Sequence, residues 1–215
     1  AAAKAVLKRS GVTVPAGIIA SSAQTAASAF ETLGAAQVVM KVVSSAITHK
    51  TDVGGVRLGI ASAAEAQQAF DGIHASVSAR HDASVIDGIL VEPMLAKPFV
   101  EAVVGIHRDP VFGHVCTFGL GGVSIELFKD VSRRLLPLTP QSAREMVMET
   151  RCYQLLAGHR GQAAFDVDAL VEVLVRLSEL VTRHANRIVE LEFNPLAVRP
   201  QGQGEAAWVA VLTTE

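Results

Sequence analysis

Two cysteines, one tryptophan and one tyrosine are all that these 215 residues contain of those three types, and aromatics make up only 5%. Two thiols, Cys116 and Cys152, are too few for a disulfide framework or a zinc cluster and fit a reducing, cytoplasmic setting. No apolar run reaches the roughly 18 residues of a membrane span. The alanine-rich start, AAAKAVLKRSG, lacks the layout of a signal peptide. Charge is sparse and mixed: 19% of residues are charged, the net is -2, and no block of like charge occurs. That argues against a broad nucleic-acid surface, so neither nucleic acid nor membrane is an expected partner. What the chain does have is a 50% hydrophobic content, enough to bury the core of one large domain or two small lobes. It opens on Ala1, in what reads as mid-helix, and is expected to be a segment of a longer polypeptide or one subunit of an assembly.

The pattern of elements predicts an α+β fold in two lobes, 1–96 and 97–215. In the first, a short helix over 1–10 stops at Gly11. A second, over 23–33, is capped by Ser21 or Ser22 and stopped by Gly34. Strands follow at 37–43 and at VRLGI, then a helix from Ser62 to about Arg80, then a buried strand within 84–95. The second lobe carries strands at 99–106 and HVCTFGLGG, then an extended or irregular stretch, SIELFKDVSRRLLPL. Thr139 caps a helix running to about 156, and Asp166 caps another with Leu170, Leu174, Leu177 and Leu180 down one side. IVELEFNPLAV and AAWVAVLT close the lobe as an antiparallel pair.

Four stretches can carry chemistry. Lys41 stands in a run of valine and methionine, VVMKVV, where an isolated ammonium is expensive unless it is paired or wet. It is either a lysine snorkelling from an edge strand or a phosphate-binding cation. His49 follows on a turn that closes on Gly54-Gly55. An exposed imidazole is ordinary, yet it is also a nucleophile able to carry a phosphoryl group, and the two glycines would serve as hinges. FGLGG, 118–122, offers backbone amides that could nest around phosphate oxygens, or is a plain turn. In ELEFNPL, alternation puts Glu190, Glu192 and Asn194 on one strand face, a set of hard oxygen donors suited to magnesium, or a solvated face.

VVMKVVSSAITHKTDVGGV, GIHRDPVFGHVCTFGLGGVSIELFKDVSRRLLPL, LLAGHRG and ELEFNPL occur in that order, and together they resemble one family. It is the ATP-grasp domain of the nucleoside-diphosphate-forming acyl-CoA synthetases, relatives of succinyl-CoA synthetase. In the ADP-forming acetyl-CoA synthetases that domain is the β subunit or the last part of a longer chain. The resemblance covers nearly the whole sequence. It implies an ATP-grasp fold with nucleotide between the lobes, ATP or ADP and Mg2+ as cofactors, and CoA bound by partner domains. Lys41 would meet nucleotide phosphates, Gly119, Gly121 and Gly122 would lend amides, and the turn Glu92, Pro93, Met94, Leu95 would meet the adenine. Glu192 and Asn194 would hold magnesium, and Glu126, Asp130 and Arg134 would stand near the reacting groups. His49 would be a transient phosphohistidine on a mobile loop.

Two departures stand out. Ser44-Ser45 occupies the place of the family's usual Ser-Pro. The last strand, WVAVLTT, puts Ala210 and Leu212 where the family has an aspartate that helps bind magnesium and an arginine. The resemblance thus implies an acid–thiol ligase module that makes thioester only with CoA-binding and ligase domains, or a degenerate regulatory module of the kind found in bacterial protein lysine acetyltransferases.

Overall fold

A computed structural model describes residues 6–8, 11–47, 49–121, 130–158, 163–207 and 210–214. The chain divides into two units. One is Pro15–Ala96, and the other joins the stretch up to Val14 to Lys97–Glu215. The sequence reading put 1–96 in one lobe, whereas the residues up to Val14 group with the later part of the chain. Leu7 and Val12 are buried in that part's core, and the Gly11 carbonyl accepts a hydrogen bond from Arg176 Nη1 at 2.7 Å.

Unit Pro15–Ala96 is a four-stranded antiparallel sheet, β1 (Ile18–Ala20), β2 (Val38–Val43), β3 (Val56–Ile60) and β4 (Gly88–Pro93), in the order β1-β4-β2-β3. Helix α1 (Ala23–Leu33) starts where Ser22, in extended conformation, accepts from Thr25 N–H while Thr25 Oγ1 accepts from Ser22 N–H. It ends at Gly34, whose φ of 58° is left-handed. Helix α2 (Ala63–Ser78) is capped by Ser62, and Glu65 reaches back to the Ala61 N–H at 2.8 Å. Ala66, Phe70, Ile73 and Val77, at helical spacing, bury against Val38, Met40, Val42, Ile89 and Val91 of the sheet. Strand alternation then forces Val39, Lys41 and Val43 onto the face away from that core.

The second unit holds a six-stranded antiparallel sheet. Its strands are β5 (Val100–Asp109), β6 (Gly113–Leu120), β7 (Val131–Leu135), β8 (Ile188–Val198), β9 (Glu205–Ala207) and β10 (Ala210–Thr214). The order is β10-β8-β5-β6-β7, with β9 also on β8. Val104, Ile106, Cys116, Phe118, Leu191 and Phe193 make the buried face, on which helix α5 (Val167–Arg183) lays Leu170, Leu174, Leu177 and Val181. The residues 131–135, read from sequence as extended or irregular, are a paired edge strand. The single helix expected from Thr139 to about 156 is two: α3 (Pro140–Met148) and α4 (Cys152–Leu156). The break has a local cause, since the Cys152 N–H donates to the Asp130 carboxylate at 3.1 Å instead of continuing the helical ladder. No described helix is long and apolar enough to cross a membrane.

Asp166 ties the start of α5 to the turn before β9. Its carboxylate accepts from the N–H groups of Ala169, Gly202 and Gly204 at 3.1, 2.9 and 3.0 Å. Partial burial pushes its carboxyl up, and the three backbone donors outweigh that and hold it below the usual aspartate range. Asp166→Ala is expected to lower stability by about 1–2 kcal/mol, read from a denaturant midpoint. Because the folded group is the stronger acid, its contribution is present at neutral pH and is lost as pH falls through the depressed value. The acid limb of the wild-type stability curve should therefore be steeper than that of the variant.

Candidate functional site

Lys41 is neither bare nor snorkelling freely. Its Nζ lies 3.1 Å from Glu92 Oε2, and the carboxylate side chain is 0% exposed against 17% for the lysine. The pair forms because β2 and β4 run antiparallel with Lys41 opposite Leu90 and Val39 opposite Glu92, which makes the two charged residues diagonal neighbours on the helix-free face. The backbone at Gly17 passes close over this spot, and a Cβ there would stand 2.9 Å from Leu90 Cδ1 and 3.2 Å from Glu92 Oε1. Glu92, expected at an adenine-facing turn, is thus inside the strand and holds the lysine in place. Pro93 ends β4, and the Met94 N–H is taken by the Gln37 carbonyl at 2.9 Å, so that amide is not available to a base edge. Met94 and Leu95 are half-buried.

His49 is exposed on the connection between β2 and β3. The turn after it is tightly held. Gly55 N–H donates to Lys50 O at 2.8 Å, Val42 N–H donates to Gly55 O at 2.8 Å, and Arg57 and Arg80 donate to the carbonyls of Gly54 and Asp52. Gly54 has a φ of 70°, and a Cβ on Gly55 would come 2.6 Å from Val42 Cγ1. These glycines close and lock the turn rather than hinge it.

In the second unit the ladder registers sort the charged residues by face. Glu192 pairs with Gly105 on β5, Gly105 with Thr117 on β6, and Thr117 with Arg133 on β7, so these four share the face away from the helices. Asn194 is on the same face of β8 as Glu192, and both are half-buried. On the other side of Glu192 the ladder brings Val211, while Ala210 stands opposite Phe193, a core residue. The residue paired with Glu192 on β10 is thus a valine and not an acid. Among the described residues no group of three or more His, Cys, Asp or Glu side chains is placed to hold a metal ion. A carboxylate plus an amide oxygen nevertheless suits magnesium, which keeps waters and takes further oxygens from phosphates.

Asp130 and Arg134 are not brought to that face. Arg134 pairs with Cys116, on the helix side. There its guanidinium bonds the Glu149 carboxylate, which also accepts from Ser132 Oγ at 2.8 Å. The Glu149 partner raises the Arg134 pKa, and Arg134 in turn lowers that of Glu149. Asp130 is spent on the Cys152 N–H. Arg133, which alternation puts beside Thr117, was missed because 124–138 carried no strand signal strong enough to assign faces. Gly119 lies inside β6, where a Cβ would stand 2.4 Å from the Asp130 carbonyl oxygen, and Gly121 N–H donates to Glu101 O at 2.8 Å. Both glycines allow close backbone packing, and the Gly121 amide is not open to a phosphate. Gly122 and Glu126 lie outside the described residues. Neither thiol is a nucleophile at neutral pH: burial pushes Cys116 up to about 12, and burial with the nearby Asp130 charge does the same to Cys152.

The Lys41–Glu92 pair gives Lys41 a structural role that its strand position alone does not show. Lys41→Ala removes a partner of a fully buried carboxylate and should cost about 2 kcal/mol of stability, whereas Lys41→Met with Glu92→Gln should cost less than the single change. Thermal unfolding of the three proteins checks it.

Residues 1–210 match the ATP-grasp domain family. The chain is 39% identical over 202 residues to the β subunit of Pyrococcus furiosus acetate–CoA ligase (ADP-forming) II, covering 94% of this chain and 85% of that one. It is 38% identical over 210 residues to acetate–CoA ligase (ADP-forming) I of Archaeoglobus fulgidus, covering 98% of this chain but only 30% of that longer one. Among solved structures, Ca. Korarchaeum cryptofilum acetyl-coenzyme A synthetase 1 with coenzyme A and Ca-AMPCP superposes with a TM-score of 0.92 at 36% identity, over 99% of this chain and 91% of that one. The same synthetase with a phosphorylated phosphohistidine segment superposes at 0.85 with 34% identity, over 99% and 91%. The chain belongs to the ATP-grasp domain family, as the β-subunit-like module of the ADP-forming acyl-CoA synthetases.

Proposed function

We propose that this chain handles nucleotide and shuttles a phosphoryl group for an ADP-forming acyl-CoA synthetase whose CoA-binding and ligase domains lie on the same longer chain or on a separate subunit. In those partner domains, phosphate displaces CoA from acyl-CoA to give an acyl phosphate and free thiol. A histidine there takes the phosphoryl group and releases the carboxylate. An imidazole nitrogen of His49 then attacks phosphorus, and the donor histidine leaves. Finally an ADP oxygen attacks the same phosphorus, giving ATP and regenerating His49. Run in reverse, ATP activates an acid for thioester formation.

Within this chain, Lys41 brings fixed positive charge to the nucleotide phosphates, and Glu92 keeps its ammonium from wandering. Glu192 and Asn194 would hold magnesium, which when bound neutralises phosphate charge. His49 presents its ring from an exposed position, next to the turn locked at Gly54-Gly55. The observation that carries this reading is that exposed histidine beside a locked turn, in a chain similar along its length to a synthetase with a phosphohistidine segment. One observation favours a degenerate regulatory module instead: the paired position on β10 is Val211, not an acid.

Incubating the protein carrying this chain with its CoA-binding part, Mg2+ and γ-labelled ATP separates the two. Label retained by the wild type and absent from His49→Ala supports the shuttle. No label on either, with nucleotide still bound, overturns it in favour of the regulatory reading. Val211→Asp, which puts a carboxylate opposite Glu192, is expected to tighten Mg–nucleotide binding by about tenfold, measured by calorimetry.

A further inference from the structure

Gly105 occupies the middle of β5, with Glu192 of β8 on one side and Thr117 of β6 on the other. Glycine in a strand interior weakens the strand, because it packs nothing and loses the most chain entropy on folding. Other glycines of this sheet have a visible reason to be glycine. A Cβ at Gly119 would stand 2.4 Å from the Asp130 carbonyl oxygen, and one at Gly121 would stand 2.7 Å from the Ala102 backbone. Gly105 has neither reason. Its φ is not positive, and a Cβ added to it would meet no atom of the described residues within 4 Å. Conformation and packing thus both leave the position free to be valine or threonine, the residues a central strand prefers.

We propose that Gly105 keeps this face clear so that the phosphate chain of a metal-bound nucleotide can approach the strand backbone, making it a positioning residue for the substrate. The inference rests on Glu192 and Asn194 being the metal-holding pair. The row across the sheet is polarised to match. Glu192, half-buried and acidic, lies on one side of Gly105. On the other lie the Thr117 hydroxyl and then the exposed Arg133 guanidinium, one and two strands away at about 4.8 Å per strand. A cation seated by Glu192 and phosphate oxygens extending toward Thr117 and Arg133 would cross Gly105, where a side chain would stand in their way. Thr117 and Arg133 are then the polar groups of this sheet that face phosphate, with Gly105 as the gap that lets them act.

The test is Gly105→Val and Gly105→Ala in the full-length protein that carries this chain, with Mg·ADP titrated by calorimetry and thermal unfolding measured alongside. A better strand former in open space should leave Tm unchanged or raise it by about 2 °C. Mg·ADP affinity should fall about tenfold or more in the valine variant, the scale of a clash in a packed site, and by less in the alanine variant. Should the valine variant fail to fold, the alanine variant carries the test, with a loss of about threefold expected. Wild-type affinity in a folded Gly105→Val overturns the inference alone, as does a lower Tm for Gly105→Ala, which would make the glycine a structural requirement. A wild-type protein that binds no Mg·ADP overturns the nucleotide reading, and this inference with it.

Discussion

A strand that buries one face must display the other, and this two-residue period governs where every charged group of the sheets can stand. In Pro15–Ala96 the period sends Met40 and Val42 into the core and Lys41 out of it. In the second unit it sends Leu191 and Phe193 in and Glu192 and Asn194 out. Slipping any of these strands by one residue would exchange core for chemistry. The apolar faces are therefore what fix the candidate side chains, since burial of Val, Leu, Ile and Phe against the helices sets the register.

Where a charge does enter low-dielectric surroundings, it enters with company. Glu92 is fully buried, and the Lys41 ammonium lies 3.1 Å from it. The pair's net contribution to stability is small beside its specificity, because both ions give up water to meet. What it does is fix an ammonium that would otherwise sample many rotamers, which is what the proposed phosphate role of Lys41 requires. Asp130, Arg134 and Glu149 do another job with the same chemistry. They join β7 to the helices on the far side of the sheet from Glu192 and hold the break between α3 and α4.

Local signals carried most of the secondary structure. Ser22, Ser62, Thr139 and Asp166 cap helices as their side chains predict, and Gly34 stops one. Lys41, His49, Glu192 and Asn194 were all legible as candidates from a lone cation in a strand, a histidine on a glycine-closed turn, and oxygen donors at alternate positions. The identity of their partners was not, because cross-strand neighbours come from segments far apart in sequence. Lys41 and Glu92 are 51 residues apart. Nothing in VVMKVV announces a buried glutamate, and nothing in SRRLL says which arginine faces which way until β6 pairs with β7.

The sequence by itself determined the α+β character, the helix caps and the alternation of each strand, because these depend on propensities and periodicities within a few residues. Tertiary structure decided the registers: Val211 opposite Glu192, Arg134 turned to Glu149, Gly105 left open beside Glu192, and Gly55 locked against Val42. Those outcomes depend on which distant strand supplies the other half of each hydrogen-bond ladder, and burial of the whole sheet selects that partner cooperatively rather than any short stretch of chain.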